Sequence, residues 1–91
     1  MTTATKTDAE VIKTHDDVEM IKRPHLWAWK TVLPLEHRIK RDERGQFLCA
    51  YVIAGMPNRI FLGNIFARKV DDASIDYASP EQIVADGWSV D

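Results

Sequence analysis

Apolar and polar positions alternate most regularly between residues 35 and 54. In LEHRIKR (35–41) Leu35, His37 and Ile39 fall on one side and Glu36, Arg38 and Lys40 on the other, the period of a half-buried strand. QFLCAYVIA (46–54) is apolar on both sides and reads as a central or near-central strand. DERG between them supplies turn chemistry, with Gly45 able to take a positive φ. A type I turn over Asp42–Gly45 with Gly45 in the bulge position sets Asp42 opposite Gln46. Ile39 then faces Cys49, His37 faces Tyr51 and Leu35 faces Ile53. On the second face Arg38 opposes Ala50, Lys40 opposes Leu48 and Glu36 opposes Val52. A one-residue slip would mix the two faces, so the bulged register is preferred.

Around this hairpin the pattern is less regular. Asp8 is placed to cap a helix carrying Ala9, Val11, Ile12, Val18 and Ile21, but Thr14–Asp17 interrupt its apolar spacing. One long helix and a short helix followed by a turn or strand both fit. Pro24 ends this segment. HLWAWKTVL (25–33) reads as a strand with Trp27 and Trp29 on one face, closed or pushed to an edge by Pro34. GMPNR (55–59) is a turn, IFLGNIFARKV (60–70) a further strand interrupted at Gly63–Asn64, and DDASIDYA irregular. SPEQIVADGW carries a full set of helix signals: Ser79 as N-cap, Pro80 at N1, Gln82 completing a capping box, and Gly87 as the stop, with Trp88 packing back. The expected fold is α+β: a small antiparallel meander of three to four strands with an N-terminal helix and a short C-terminal helix. Residues 1–7 are expected as a flexible end and 8–91 as one domain.

Composition narrows the class. Ninety-one residues, 45% hydrophobic and 29% charged, suit one globular domain. A single cysteine, Cys49, excludes an intrachain disulfide framework and fits a reducing, cytoplasmic setting. Within FLCAYVIA it reads as a small buried hydrophobe. No apolar run reaches the ~18 residues of a membrane span, and MTTATKT has neither the charged nor the apolar region of a secretory signal.

Charge is segregated beneath a net value of −2. Residues 22–69 hold ten basic and three acidic side chains, net +7, flanked by an N-terminal segment of net −3 and a C-terminal one of net −6. Such a chain either presents a local positive field or folds its acidic ends back on the basic strands. The candidate contact residues are Arg38, Lys40, Arg41 and Arg44 on the hairpin, extended by Arg59, Arg68 and Lys69 if the strands are neighbours. Cations beside flat rings are what a nucleic-acid groove requires, and Trp27 and Trp29 could supply rings, though both also suit a core.

Other chemistry finds little footing. His15-Asp16-Asp17 lacks ligand spacing, His25 and His37 have no companion ligand nearby, and no metal or other cofactor is expected. A Cys49–His37 pair has no recognisable oxyanion donor. The isolated glycines make no phosphate loop, and the paired carboxylates are adjacent and divergent. A non-enzymatic binding protein without a small-molecule substrate is the expectation.

The whole-chain character, the start MTTATKTDAEV, the basic hairpin EHRIKRDERG and the terminal SPEQIVADGWSVD resemble the small phage-encoded anti-CRISPR proteins of the type I-F group. Those families share no common motif, so no residue role is carried over. The resemblance implies stoichiometric binding to a multisubunit crRNA-guided surveillance complex in the host cytoplasm, preventing target DNA from binding or a nuclease from being recruited. Many such inhibitors are acidic DNA mimics. The net +7 segment departs from that and would suit crRNA itself or acidic protein surfaces. Two other classes compete: a small regulator of free DNA or RNA, and a self-assembling structural or virion protein that would associate through a Trp27/Trp29 face.

Overall fold

The structure, a computed structural model, describes residues 8–91. The expectations for residues 1–7 and for the Asp8 side chain lie outside its described part. Helix α1 runs unbroken over Asp8–Lys22, a 3-10 turn follows at Pro24–Leu26, and strands β1 (Val32–Arg41), β2 (Phe47–Ile53), β3 (Arg59–Leu62) and β4 (Ser74–Asp76) precede helix α2 (Pro80–Ala85) and strand β5 (Trp88–Val90). The α+β class holds, but the sheet has five strands, ordered β4-β3-β2-β1-β5 and paired antiparallel throughout. It is not a simple meander. After β4 the chain crosses through α2 and adds β5 to the opposite edge, beside β1.

Helix α1 survives the polar interruption in its sequence because the interruption is satisfied. Asp17 is only 3% exposed, and Lys13 one turn earlier reaches its carboxylate at 2.6 Å. Val18 and Ile21 on the same helix join Ile83 and Val84 of α2 over Leu33, Leu35, Ala50, Val52, Ile60 and Trp88 of the sheet. Both helices therefore cover one sheet face. Burial of that apolar surface, at roughly 25 cal/mol per Å², is the main stabilising term.

Four features depart from the expected pattern. The run 25–33 joins the sheet only at its end, Val32 and Leu33 opening β1; before that Pro24 opens a 3-10 turn, and the Trp27 indole donates to the Met20 carbonyl at 2.6 Å, closing the chain onto the end of α1. Trp27 is buried while Trp29 is 51% exposed, so they do not share a face. Pro34 does not break β1 but sits inside it, opposite Tyr51. A residue's N–H and C=O point to the same side of a strand. Pro34's carbonyl accepts from Asp91 N–H, so its missing donor falls beside Asp91, after the end of β5, where little ladder is lost. The long strand expected at 60–70 stops at Leu62, and the chain from Gly63 to Ala73 crosses the helix-free face of the sheet.

The fourth departure is in the hairpin register. At the tip it is as expected: Gly45 has φ 80°, Asp42 N–H donates to Gln46 O at 2.7 Å, and Arg41 opposes Phe47. Farther in, Glu36 opposes Cys49 and Leu35 opposes Ala50. Four residues, His37 to Lys40, therefore face Leu48 alone. This wide bulge shifts the pairing by three positions, so that Pro34, not His37, lies opposite Tyr51. His37 opposes Trp88 of β5 instead. Leu35 and His37 are buried as expected, but Ile39, within the bulge, is 77% exposed.

Candidate functional site

The bulge that redirects the hairpin is organised by one imidazole. His37 is 2% exposed, its ring edge-on to Trp88 with centroids 4.9 Å apart. Its Nδ1 accepts from both Ile39 N–H (3.1 Å) and Lys40 N–H (2.9 Å). An atom accepting twice carries no proton, so the ring is the Nε2–H tautomer and donates through Nε2 to Asp86 O at 2.8 Å. Beside it Arg38 bends back. Its Nη2 donates to Val84 O at 3.0 Å and its backbone N–H to Gly87 O at 2.8 Å. A guanidinium at the exposed carbonyls ending α2 is favoured by charge as well as geometry. Asp86 in turn accepts from the Tyr77 hydroxyl at 2.5 Å, and Trp88 Nε1 donates to that hydroxyl at 3.2 Å. Burial, reinforced by the Asp86 carboxylate, pushes the Tyr77 phenol up to about 12.

Beyond this anchorage the hairpin tip carries the remaining cations. Arg41 lies 3.9 Å above the Phe47 ring and donates to Gly45 O at 2.7 Å. Asp42 is turned inward, its carboxylate accepting from Arg44 N–H and Gln46 N–H. It thus stabilises the turn rather than binding a cation. Among the described residues Lys40, Arg41 and Arg44 form no ion pair. The row of cations expected from the alternation is broken, because the bulge directs Arg38 to α2.

The other three predicted residues lie elsewhere. Arg59 starts β3, at the end of the sheet opposite the β1–β2 turn, and is paired with Asp76 at 2.6 Å. Arg68 sits in the crossing segment, 5.3 Å over the Tyr51 ring. Lys69 follows it, and its backbone N–H donates to Asp72. The seven cations are therefore not one patch. Both readings of the segregated charge apply in part: Lys22 pairs with Glu81 and Arg59 with Asp76 of the acidic C-terminal segment, while among the described residues the tip cations form no ion pair and are offset only in part by Asp42 and Glu43 beside them.

A second group of side chains occupies the helix-free face. Leu33, Leu35, Ala50 and Val52 face the helices, so Val32, Pro34, Glu36, Phe47, Cys49 and Tyr51 face the other way. Tyr51 stacks on Phe61 with centroids 5.4 Å apart and donates to Asp72 at 2.7 Å. Burial raises its phenol above the ordinary value. Lys69 N–H and this hydroxyl hold the Asp72 carboxyl below the usual range. Cys49 is exposed here, not buried as expected, because its side of β2 carries no helix. Partial burial and neighbouring Glu36 raise its thiol pKa.

At the margin of this face Trp29 meets Phe66 edge-to-face at 5.4 Å, and Phe66 is 76% exposed. Lys30, next to Trp29, is the one non-glycine residue with positive φ (57°) among the described residues. That conformation costs roughly 1–2 kcal/mol. The tight turn it closes, with Thr31 N–H donating to Trp29 O at 2.5 Å, leads the chain from Trp29 into β1. Phe66 was not singled out from sequence. It is carried by a short 3-10 turn capped by Asn64, whose side chain accepts Phe66 N–H at 2.8 Å.

Among the described residues no three of His, Cys, Asp or Glu are grouped to hold a metal ion, and no helix is long and apolar enough to cross a membrane. Compared with known proteins, the chain finds no match: no family profile, no curated protein and no solved structure is similar to it.

Proposed function

We propose that the chain is a non-enzymatic inhibitor that docks the tip of its β1–β2 hairpin on an anionic surface of a ribonucleoprotein. The resemblance to type I-F anti-CRISPR proteins names that partner as a crRNA-guided surveillance complex whose binding of target DNA is blocked. The observation that carries the reading is the hairpin tip: Lys40, Arg41 and Arg44 form no ion pair among the described residues and stand on a ribbon whose base is fastened by His37 and Arg38. Fixed geometry lowers the entropy lost on docking, and unpaired cations accelerate approach to a negative surface.

The test is charge reversal at the tip, Lys40→Glu, Arg41→Glu and Arg44→Glu together, with Arg38 left intact because its guanidinium holds the end of α2. The triple variant should remain folded and lose inhibition of target-DNA binding by the purified complex. Normal inhibition by a folded triple variant overturns the reading. Binding of bare DNA or RNA as tight as binding of the complex would assign the chain to regulators of free nucleic acid instead.

A further inference from the structure

We infer that the exposed Trp29–Phe66 pair is a second binding site, one that takes unpaired bases of a single-stranded nucleic acid. The inference rests on the helix-free face and on no hairpin residue. It deepens the proposed reading by assigning what that face would take from an RNA-bearing partner.

Three observations converge. First, two large rings stand 51% and 76% exposed and meet edge-to-face, a contact that covers one face of one ring and leaves much of the remaining ring surface in solvent. Of the three tryptophans, Trp27 and Trp88 are buried, so this exposure is local. Second, each ring is followed closely by cations that form no ion pair among the described residues: Lys30 after Trp29, and Arg68 and Lys69 after Phe66. Asp71 and Asp72 follow the latter two; the Asp72 carboxylate accepts from Tyr51 and Lys69 N–H and offsets part of the Arg68 and Lys69 charge, while Lys30 stands apart on the other side of the ring pair. Third, the surrounding backbone is fixed: Lys30 is held at a left-handed φ, and Asn64 caps the turn that carries Phe66. Strained backbone of this kind is concentrated at functional sites. Open ring faces with adjacent phosphate-neutralising cations are the combination that binds single strands without reading sequence. A duplex, whose bases are already stacked, offers the rings nothing.

The buried state of the other two tryptophans makes Trp29 its own reporter. Short oligouridylate, titrated at low salt, should quench and shift the exposed tryptophan emission. Affinity should fall with salt at a log–log slope of about −2, as expected for three cations on a single strand. Phe66→Ala, which keeps Trp29, should bind about tenfold more weakly, the loss of one stacked base. Trp29→Ala, followed by anisotropy of a labelled oligonucleotide, should do the same. A duplex of the same length should quench little. The hairpin triple variant should keep this quenching, so the tip and the ring pair fail separately. Unchanged Trp29 emission at saturating oligonucleotide overturns the inference. So does concentration-dependent self-association abolished by Trp29→Ala, which would give the rings to a second copy of the chain. Equal quenching by anionic lipid vesicles with none by oligonucleotide likewise overturns it.

Discussion

Replacing Gly87 with alanine tests how tightly the hairpin base is fastened. Gly87 has φ 109°, and a Cβ built there would lie 2.5 Å from His37 Cε1 and 2.6 Å from its Nε2. Two costs follow. The backbone conformation costs an alanine roughly 1–2 kcal/mol. The ring must also move, and it is held by two backbone donors, by Asp86 O and by the face of Trp88. Breaking one such buried hydrogen bond costs about 1–3 kcal/mol. The sum, about 2–5 kcal/mol, is a large part of the ~5–14 kcal/mol available to a chain of this length. Gly45→Ala is the control: its φ of 80° carries the same kind of backbone cost, but nothing lies within 4 Å of its Cβ. Urea unfolding followed through the buried tryptophans should show Gly87→Ala losing ~1–3 kcal/mol more than Gly45→Ala. In the double variant Gly87→Ala/His37→Ala the losses should be well below additive, because the ring that clashes is gone. Equal losses for the two glycine variants would refute the contact between Gly87 and His37.

Two further outcomes follow from the titrating groups. Tyr77 and Tyr51 both have folded pKa values above that of free tyrosine, Tyr77 near 12. The stabilisation this represents is whole below pH ~10 and is lost as pH rises through the folded values. Tyrosinate absorbance should therefore show both residues titrating late, with unfolding between pH ~10 and ~12, and ionisation of both at the ordinary value would contradict their environments. Cys49 is exposed yet has a raised thiol pKa, caused first by partial burial and then by Glu36. Alkylation at neutral pH should thus be slower than for a free thiol, and Glu36→Gln should speed it, whereas a rate equal to that of glutathione would refute the effect.

What the sequence made legible was local. The Asp42–Gly45 turn and the α2 boundaries depend on neighbouring residues, so Gly45, Ser79, Pro80 and Gly87 revealed them directly. In detail Gln82 Oε1 accepts from Ala78 N–H rather than from Ser79. The short strands β4 and β5 were not legible, because three residues carry no period and only their pairing with Arg59–Phe61 and Leu35–His37 makes them strands. Trp27 and Trp29 have β propensity, but Pro24 and the indole bond to Met20 outweigh it. At the candidate site Arg41 and Arg44 lie at the hairpin tip as read, Arg44 on the turn and Arg41 at the end of β1, whereas Lys40 falls in the bulge. Arg38 was not separable from them, since its partners, Val84 O and Gly87 O, are almost fifty positions away and backbone carbonyls leave no mark in composition.

The bulge at His37–Lys40 has a consequence for the order in which the chain can assemble. The two halves of the hairpin ladder are in different frames, so closing the turn at Gly45 does not dictate the pairing of Leu35. A chain still lacking Gly87 and Trp88 has nothing to draw His37 aside. It can keep zipping in the frame set at the tip, with Ile39 against Cys49 and His37 against Tyr51. On emergence from a ribosome, packing of Leu33, Leu35, Ala50 and Val52 on Val18 and Ile21 already favours the native frame, but the contacts that hold His37 aside come only with β5. Until then the hairpin can still visit an alternative pairing, which must partly reopen when residues 86–90 arrive.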